Sequence, residues 1–213
     1  MSAKPTDIVT SAFAGLPCEV GRGRGVIATE REGLAIARIA ARRGRKGTVA
    51  QVLRANFGVE PPDGPRRASG GEVALAGIAP ETWLATRERA GNGFAQSLRP
   101  LLADCASIAD LSDAYAILRL TGPDVRATLA KLVPIDIHAR AFGVNALART
   151  VCGYMSVILW RLEDFAQWGP TFEIWVGRSL AVSLHEALCQ GAAEFGFMRQ
   201  PAPGPAHEGR RST

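Results

Sequence analysis

Apolar residues along this chain fall into short strand-like runs and into stretches with helical spacing. In the first part, residues 33–44 predict a strand, and residues 47–58 predict a helix with Thr48 as its N-cap and Gly58 at its end. Two short strands within residues 71–86 follow, and then a helix that Pro100 limits or kinks. The predicted order of elements in this part of the chain is therefore strand, helix, two strands and helix.

The second part of the chain repeats the same order. Residues 114–122 match residues 34–42 at an offset of about 81 positions, with Ile117 lying over Ile36. A helix over residues 123–133, two paired strands and a last helix capped by Ser179 follow. The repeat indicates two units built on one plan.

Two β-α-β-β-α units predict an α+β fold, made of two fused ferredoxin-like units. We expect a single two-lobed domain over residues 25–197, with lobes at about 25–105 and 106–197. Residues 1–24 and 198–213 are predicted to be a flexible and a disordered tail, because they lack periodicity or are rich in Pro, Gly and charge. The run GRGRG at residues 21–25 is interpreted as a flexible, basic lead-in, since it precedes a strand rather than joining a strand to a helix as a phosphate loop does.

The charge of the chain is uneven. The formal net charge is +5, and residues 22–54 hold nine Arg or Lys against Glu30 and Glu32. Few aromatic residues interleave with these arginines, so we favour an acidic protein partner over nucleic acid, which stays the alternative. The candidate interface residues are the basic Arg42, Arg43 and Arg45, and Trp168 at a loop tip. Trp168 packed under its own loop is an equally open interpretation, whereas Trp160 and Trp175 are predicted to lie in the core.

The sequence offers little for catalysis or metal binding. Cys18, Cys105, Cys152 and Cys189 are scattered without a CxxC motif, which favours reduced thiols over a zinc site or a disulfide framework. His138 is predicted to be a surface or interface residue, His185 a boundary or solvated residue and His207 part of the tail. Asp110, Asp113 and Asp136 read as turn or loop residues. We predict no catalytic, cofactor-binding or metal-binding residues.

The longest apolar runs are strand-sized, and none approaches the ~20 residues that span a bilayer. The N-terminal residues contain Asp7 and Glu19 and no sustained apolar segment, which argues against a signal peptide. We therefore expect a cytoplasmic protein without a membrane partner.

Several segments of the second repeat carry a family resemblance. The segments are DLSD and LRLTGPD within residues 110–124, LAKLVPIDI at 129–137, GYMSVILWR at 153–161 and FEIWVGRSLAVSLHEAL at 172–188. They resemble the gamma subunit of heterotetrameric sarcosine oxidase, which is similar to the folate-binding part of aminomethyltransferases. The resemblance is clear over about residues 104–197, weaker over 26–103 and absent from the tails.

The resemblance implies a role in a larger enzyme. Such a complex oxidises sarcosine to glycine, yielding formaldehyde or methylene-tetrahydrofolate and hydrogen peroxide. It implies alpha, beta and delta partner subunits, with FAD, FMN, NAD, tetrahydrofolate and zinc bound outside this chain. The chain itself is expected to be a non-catalytic structural subunit, inactive alone.

One departure from the family pattern bears on that expectation. Active aminomethyltransferases carry an aspartate pair after two glycines, and the matching segment here has Cys152 and Gly153, then Ser156 and Val157. A hydroxyl and a valine cannot replace a carboxylate in acid–base chemistry. A stand-alone folate-dependent one-carbon transferase is therefore the weaker alternative. A subunit of a related N-methyl or secondary amine oxidase stays open.

Overall fold

The computed structural model describes residues 11–88, 93–164 and 168–200. Its strands are β1 (Glu19–Val20), β2 (Val26–Glu30), β3 (Leu34–Ala41), β4 (Arg67–Gly70), β5 (Val73–Ala79), β6 (Thr82–Glu88), β7 (Ala106–Asp110), β8 (Tyr115–Thr121), β9 (Leu147–Cys152), β10 (Met155–Arg161), β11 (Phe172–Gly177) and β12 (Phe197–Gln200). Its helices are α1 (Lys46–Phe57), α2 (Phe94–Leu102), α3 (Val125–Leu132) and α4 (Ala181–Gly191), and a 3-10 turn at Arg178–Leu180 precedes α4.

The first repeat forms a five-stranded antiparallel sheet in the order β4-β5-β6-β3-β7. Without the edge strand β4, this is the order of a ferredoxin-like unit, in which the first strand pairs with the third and the fourth. Helices α1 and α2 make the two crossovers. Strand β7, which follows α2, completes the unit. The sequence pattern did not assign this strand to the first repeat.

The second repeat forms a seven-stranded sheet in the order β1-β12-β2-β8-β11-β10-β9. Strands β9, β10, β11 and β8 take the places that β4, β5, β6 and β3 take in the other sheet, so β8 and β3 are equivalent as the repeat predicts. The place beside β8 that would complete the unit is filled by β2, from the beginning of the chain, and β12 pairs with β2 in parallel. The predicted fold of two fused ferredoxin-like units is confirmed.

The two sheets pack face to face, and the helices cover their outer faces. One core lies between the seven-stranded sheet and helices α3 and α4, and a second lies between the five-stranded sheet and helices α1 and α2. A third core fills the space between the sheets and includes Ile36, Leu84, Ile117, Trp160 and Trp175. Both tryptophans are therefore core residues, as predicted.

Two predicted helix starts are wrong. Helix α1 begins at Lys46, so Thr48 lies inside it, and Arg45 is the N-cap without a side-chain hydrogen bond. Ser179 lies in the 3-10 turn, and α4 begins after Leu180. In both places the chain turns into the helix without a capping hydroxyl, so backbone geometry rather than a side chain sets the start. The predicted end at Gly58 is confirmed by its left-handed backbone.

The sheets do not follow the predicted lobe boundaries. Strand β2 of the first predicted lobe lies in the seven-stranded sheet, and β7 of the second lies in the five-stranded sheet. Parts of both predicted tails are also structured: Phe13 is fully buried, and β1 pairs with β12. Strands β1 and β12 are too short to show periodicity in the sequence. Residues 1–10 and 201–213 lie outside the described residues.

A close crossing of backbones explains the glycine run before β2. The Gly25 amide donates to the Phe195 carbonyl at 3.1 Å, and the Asp124 amide donates to the Gly25 carbonyl at 3.0 Å. A Cβ atom at Gly122 would collide with the Gly25 carbonyl oxygen, and the φ angle of Gly122 is +128°. Gly25 is thus a packed junction between β2 and the start of α3, and the prediction of a flexible lead-in is wrong there.

We expect Gly122→Ala to lower the free energy of unfolding by roughly 3 kcal/mol, because the new methyl group meets backbone and the φ angle is strained. Urea denaturation followed by circular dichroism measures this. The matched control is Gly47→Ala in α1, where no heavy atom lies within 4 Å of the added carbon. That variant should gain about 0.5–1 kcal/mol. Equal effects of the two substitutions would contradict the crossing.

Candidate functional site

A cleft of about 660 Å³ opens between the two sheets. Its charged lining consists of Arg31, Arg67, Arg87, Arg119, Glu72, Glu88 and Glu173. Its apolar lining includes Leu34, Val73, Trp160 and Leu162. Both sheets contribute, so the cleft exists only because the two repeats pack against each other.

Three residues on neighbouring strands form a row at the floor of the cleft. Trp160 on β10 is paired with Glu173 on β11, and Glu173 is paired with Arg119 on β8. Directly paired residues in a sheet project to the same face, so the three side chains lie side by side facing the other sheet. Strand register therefore places a carboxylate between an indole and a guanidinium.

Glu173 is buried, with 4% of its surface exposed, and its two oxygens are both engaged. Oε1 accepts from Arg119 Nε at 3.1 Å and Nη2 at 2.6 Å, and Oε2 accepts from the indole nitrogens of Trp160 at 3.0 Å and Trp175 at 3.4 Å. Arg31 Nε lies 3.3 Å from Oε1. A buried charge is tolerated when it is paired and its lone pairs are satisfied. Glu173 meets both conditions, which marks it as a structural counter-ion.

Arg31 links the two sheets electrostatically. It follows β2, and its amide donates to the Ile117 carbonyl of β8 at 3.1 Å. Its Nη2 donates to Glu88 Oε1 of β6 at 2.5 Å, while its Nε faces Glu173. One guanidinium thus bridges a buried carboxylate of the seven-stranded sheet and an exposed carboxylate of the five-stranded sheet.

Arg67 lies in the same cleft at the beginning of β4. Burial lowers the pKa of its guanidinium, the charges of Arg119 and Arg31 act in the same direction, and Glu173 and Glu88 oppose them. Within residues 11–88, 93–164 and 168–200, no hydrogen bond or ion pair reaches its side chain. Arg67 is therefore a cation in the cleft whose donors are not used by any described residue.

The predicted interface residues lie on two different surfaces. Arg42, Arg43 and Arg45 are grouped at the turn between β3 and α1, and Arg42 Nη2 donates to the Ala103 carbonyl at 3.2 Å. Trp168 is 42% exposed and lines a smaller groove of about 240 Å³ on the inner face of the seven-stranded sheet. The structure brings the three arginines together and leaves Trp168 separate from them.

The hairpin between β9 and β10 carries the residues that stand where the resemblance puts aspartates. Ser156 is exposed. Val157 is buried in the core between the seven-stranded sheet and helices α3 and α4. Cys152 is fully buried, and burial raises the pKa of its thiol to about 11. No carboxylate is therefore supplied by these positions, and the described residues do not fit one-carbon transfer there.

The structure corrects the prediction for one histidine. His185 is buried rather than solvated, and its Nε2 lies 3.0 Å from the Pro17 carbonyl oxygen, so it helps to hold the N-terminal segment. Burial lowers the pKa of this imidazole. His138 is exposed, as predicted, and its amide donates to Asp136 Oδ1 at 2.8 Å. His207 lies outside the described residues.

The Asp110 carboxylate has the turn role that the sequence predicts. Its Oδ1 accepts from the Ser112 amide at 3.1 Å and from the Ser112 hydroxyl at 2.7 Å. The Ser112 hydroxyl oxygen in turn accepts from the Ile36 amide at 3.1 Å. This turn therefore ties the start of the second repeat to β3 of the first.

The described ranges contain neither a metal cluster nor a membrane-spanning helix. No group of three or more His, Cys, Asp or Glu side chains there could hold a metal ion. In the same residues, no helix combines the length and the apolar character needed to cross a membrane.

The sequence did contain a signal for the cleft that the pattern-based predictions missed. Glu173 stands between Phe172 and Ile174 in an otherwise apolar strand, two residues before Trp175. Alternation places Glu173 on the same face as Trp175, which was predicted to be buried. A charge on an inward face predicts buried partners, but their identity depends on the register between strands far apart in the chain.

Comparison with known proteins first defines the class of fold. No family model matches the chain. The glycine cleavage system aminomethyltransferase T from Bartonella henselae has a TM-score of 0.57 and 12% identity, covering 84% of this chain and 48% of that one. The chain therefore has the aminomethyltransferase type of fold.

More specific similarities are to chains of sarcosine oxidases from several bacteria. A chain of the heterotetrameric sarcosine oxidase from Corynebacterium sp. U-96, solved with pyrrole 2-carboxylate, has a TM-score of 0.75 and 26% identity, covering 87% of this chain and 95% of that one. Sarcosine oxidase gamma subunits from Corynebacterium sp. (strain P-1) and Arthrobacter sp. are 32% and 34% identical over 92 and 93 residues, each match covering 43% of this chain. The matches span 45% of the length of each curated relative. The resemblance to the gamma subunit is confirmed.

We expect Glu173→Gln to lower the free energy of unfolding by roughly 2–4 kcal/mol, because it removes the charge that compensates Arg119 and Arg31. Urea denaturation provides the measurement. The control is Glu72→Gln, since the Glu72 side chain is 85% exposed. Its effect should stay within about 0.5 kcal/mol. A Glu173 variant as stable as this control would show that the buried carboxylate is dispensable.

Cys152 and Cys18 should differ sharply in thiol reactivity. The thiolate is the reactive form, and Cys152 is buried with a pKa of about 11, whereas Cys18 is exposed. At pH 8, iodoacetamide should label Cys18 in the folded chain and Cys152 only after denaturation, as peptide mass spectrometry can determine. Because the folded state keeps the Cys152 proton more tightly, this thiol also lowers stability as pH rises from about 9 toward 11. Labelling of both thiols at equal rates would refute the assignment.

Proposed function

We propose that this chain is the gamma-type, non-catalytic structural subunit of a heterotetrameric sarcosine oxidase. In this proposal the complex oxidises sarcosine to glycine and produces hydrogen peroxide, with the methyl carbon leaving as formaldehyde or as methylene-tetrahydrofolate. The observation that carries the proposal is the likeness to a chain of a solved sarcosine oxidase, which extends over 87% of this chain and 95% of that one.

The residues of the chain support a role without chemistry of its own. Neither the Ser156 hydroxyl nor Val157 can replace a carboxylate as a general acid or base near neutral pH. Glu173, the buried carboxylate of the cleft, has both oxygens occupied by side-chain donors. A carboxylate held in this way stabilises the packing of the sheets and is not available as an acid or a base.

The partners in this proposal are the alpha, beta and delta subunits, and these would bind FAD, FMN, NAD, tetrahydrofolate and zinc. Arg42, Arg43, Arg45 and Trp168 are the proposed contact residues. Their surface positions support this, since arginine and tryptophan side chains are common anchors in interfaces. A cytoplasmic location remains part of the prediction.

Co-expression of the chain with its neighbouring genes tests the function directly. Purification through a tag on this chain should recover a yellow flavoprotein complex that makes peroxide from sarcosine. Activity with another N-methyl or secondary amine instead would identify a related amine oxidase. Recovery of the chain alone, with tetrahydrofolate bound, would favour the stand-alone transferase. Salt-sensitive retention on nucleic acid would favour the nucleic-acid alternative.

Charge reversal should separate the arginine surface from the rest of the chain. Arg42→Glu, Arg43→Glu and Arg45→Glu combined should reduce the recovery of partner subunits, because an acidic partner surface would then be repelled. The control reverses three other exposed arginines, Arg22, Arg140 and Arg149. Quantitative mass spectrometry of the purified material gives the ratio of subunits. Equal recovery from both triple variants would exclude this surface as the interface.

A further inference from the structure

The arginine that lies unpaired in the cleft is held in place by its backbone. The Arg67 amide donates to the Asn145 carbonyl at 2.9 Å, and Arg67 pairs with Ala76 of β5. The preceding residue, Arg66, forms an isolated bridge with Ala146. The position of Arg67 is therefore fixed between the two sheets, and its guanidinium enters the cleft from a rigid support.

The cleft is lined by one more positively charged residue than negatively charged residues. Four arginines and three glutamates line it. Arg119 and Arg31 are engaged with Glu173 and Glu88. Four arginines against three glutamates leave a net charge of +1, and burial together with Arg119 and Arg31 lowers the pKa of Arg67 against the opposing charges of Glu173 and Glu88, so a further anion beside Arg67 is favourable.

We propose that the cleft is a binding site for one organic carboxylate, which the Arg67 guanidinium holds as a bidentate ion pair. The apolar residues Leu34 and Leu162, which also line the cleft, would contact the carbon body of the ligand. This inference goes beyond the proposed function, since it concerns a ligand of this chain and not its assembly.

The charge and the shape of the site favour a carboxylate over a phosphate. A single unpaired guanidinium presents one planar fork, which matches the two oxygens of a carboxylate. A phosphate dianion would carry more charge than the one remaining cation and would be repelled by Glu88 and Glu173. We therefore expect one monoanion per chain.

Replacing Arg67 distinguishes a structural role from a binding role. A structural role predicts that the substitution lowers the stability of the chain, and a binding role predicts that it does not. The Arg67 side chain makes no hydrogen bond or ion pair with the described residues, and burial lowers the pKa of its guanidinium in spite of the nearby charges of Glu173 and Glu88. Removing it should leave the urea midpoint unchanged or raise it. A large fall in the midpoint of Arg67→Met would show that the side chain supports the fold and would overturn the proposal.

Binding is tested on the full chain with 4-fluorobenzoate as the probe, observed by ¹⁹F NMR. The neutral 4-fluorobenzamide has nearly the same shape and serves as the matched probe. We expect the benzoate to bind and the amide to bind at least roughly tenfold more weakly, as the loss of a charged hydrogen-bonded pair implies. Acetate should displace the benzoate, and inorganic phosphate at equal concentration should do so less well.

Variants assign the effect to Arg67. Arg67→Met should weaken benzoate binding roughly tenfold or more, and Arg67→Lys should restore part of it, because lysine keeps the charge without the fork. Arg66→Met is the control, since Arg66 is adjacent in sequence and exposed. Equal affinity for benzoate in Arg67→Met and Arg66→Met would overturn the proposal, as would tighter binding of phosphate.

The purified complex then distinguishes two sources of the carboxylate. If the probe binds to the complex as it binds to the isolated chain, the natural ligand is a free organic acid. If binding is present in the isolated chain and lost in the complex, a carboxylate of a partner subunit occupies the site. Both results support the proposal of a carboxylate site. Absence of Arg67-dependent binding in the isolated chain would refute it. Failure of the complex to form would affect the proposed function but leave the test on the isolated chain intact.

Discussion

A carboxylate buried between two sheets must receive donors from several directions, and this requirement governs how the two halves of the molecule meet. Glu173 receives them from Arg119 and from the indoles of Trp160 and Trp175, on its own strand and both neighbouring strands. Arg31 then extends the network to the opposite sheet through Glu88. Shifting any of these strands by one residue would turn its apolar side chains to the other face and leave a charge without a partner, so the ionic row and the apolar core specify the same register.

The same network shows how the two sheets of this aminomethyltransferase type of fold are held together. Glu173, Arg119 and Arg31 are engaged in holding the sheets together, and the hairpin at Cys152–Ser156 presents a buried thiol and a hydroxyl. Positive charge lies at Arg67 inside the cleft and at the exposed turn between β3 and α1.

The sequence was sufficient for the repeat and for most of the element order, because apolar spacing is a local property. It was insufficient wherever the answer depended on contacts between distant segments. The strands β1 and β12 are too short to be periodic, and the glycine run at residues 21–25 looks flexible until Gly25 meets Phe195 and Asp124. Of the candidate site, Trp160 was correctly placed in the core. Arg67 and Glu173 were missed because only strand register brings them into one cleft.

The place of β2 in the second sheet has a consequence for the way the chain is made. During synthesis the five-stranded sheet can close once β7 has left the ribosome, since all its strands lie between Leu34 and Asp110. Strand β2 emerges before them, yet its partners β8 and β12 come much later. The apolar start of β2 must therefore wait, unpaired, through much of translation, and long-range pairing of this kind is slow and prone to aggregation. Strand β2 therefore gains its sheet partners only when the C-terminal half of the chain returns to it.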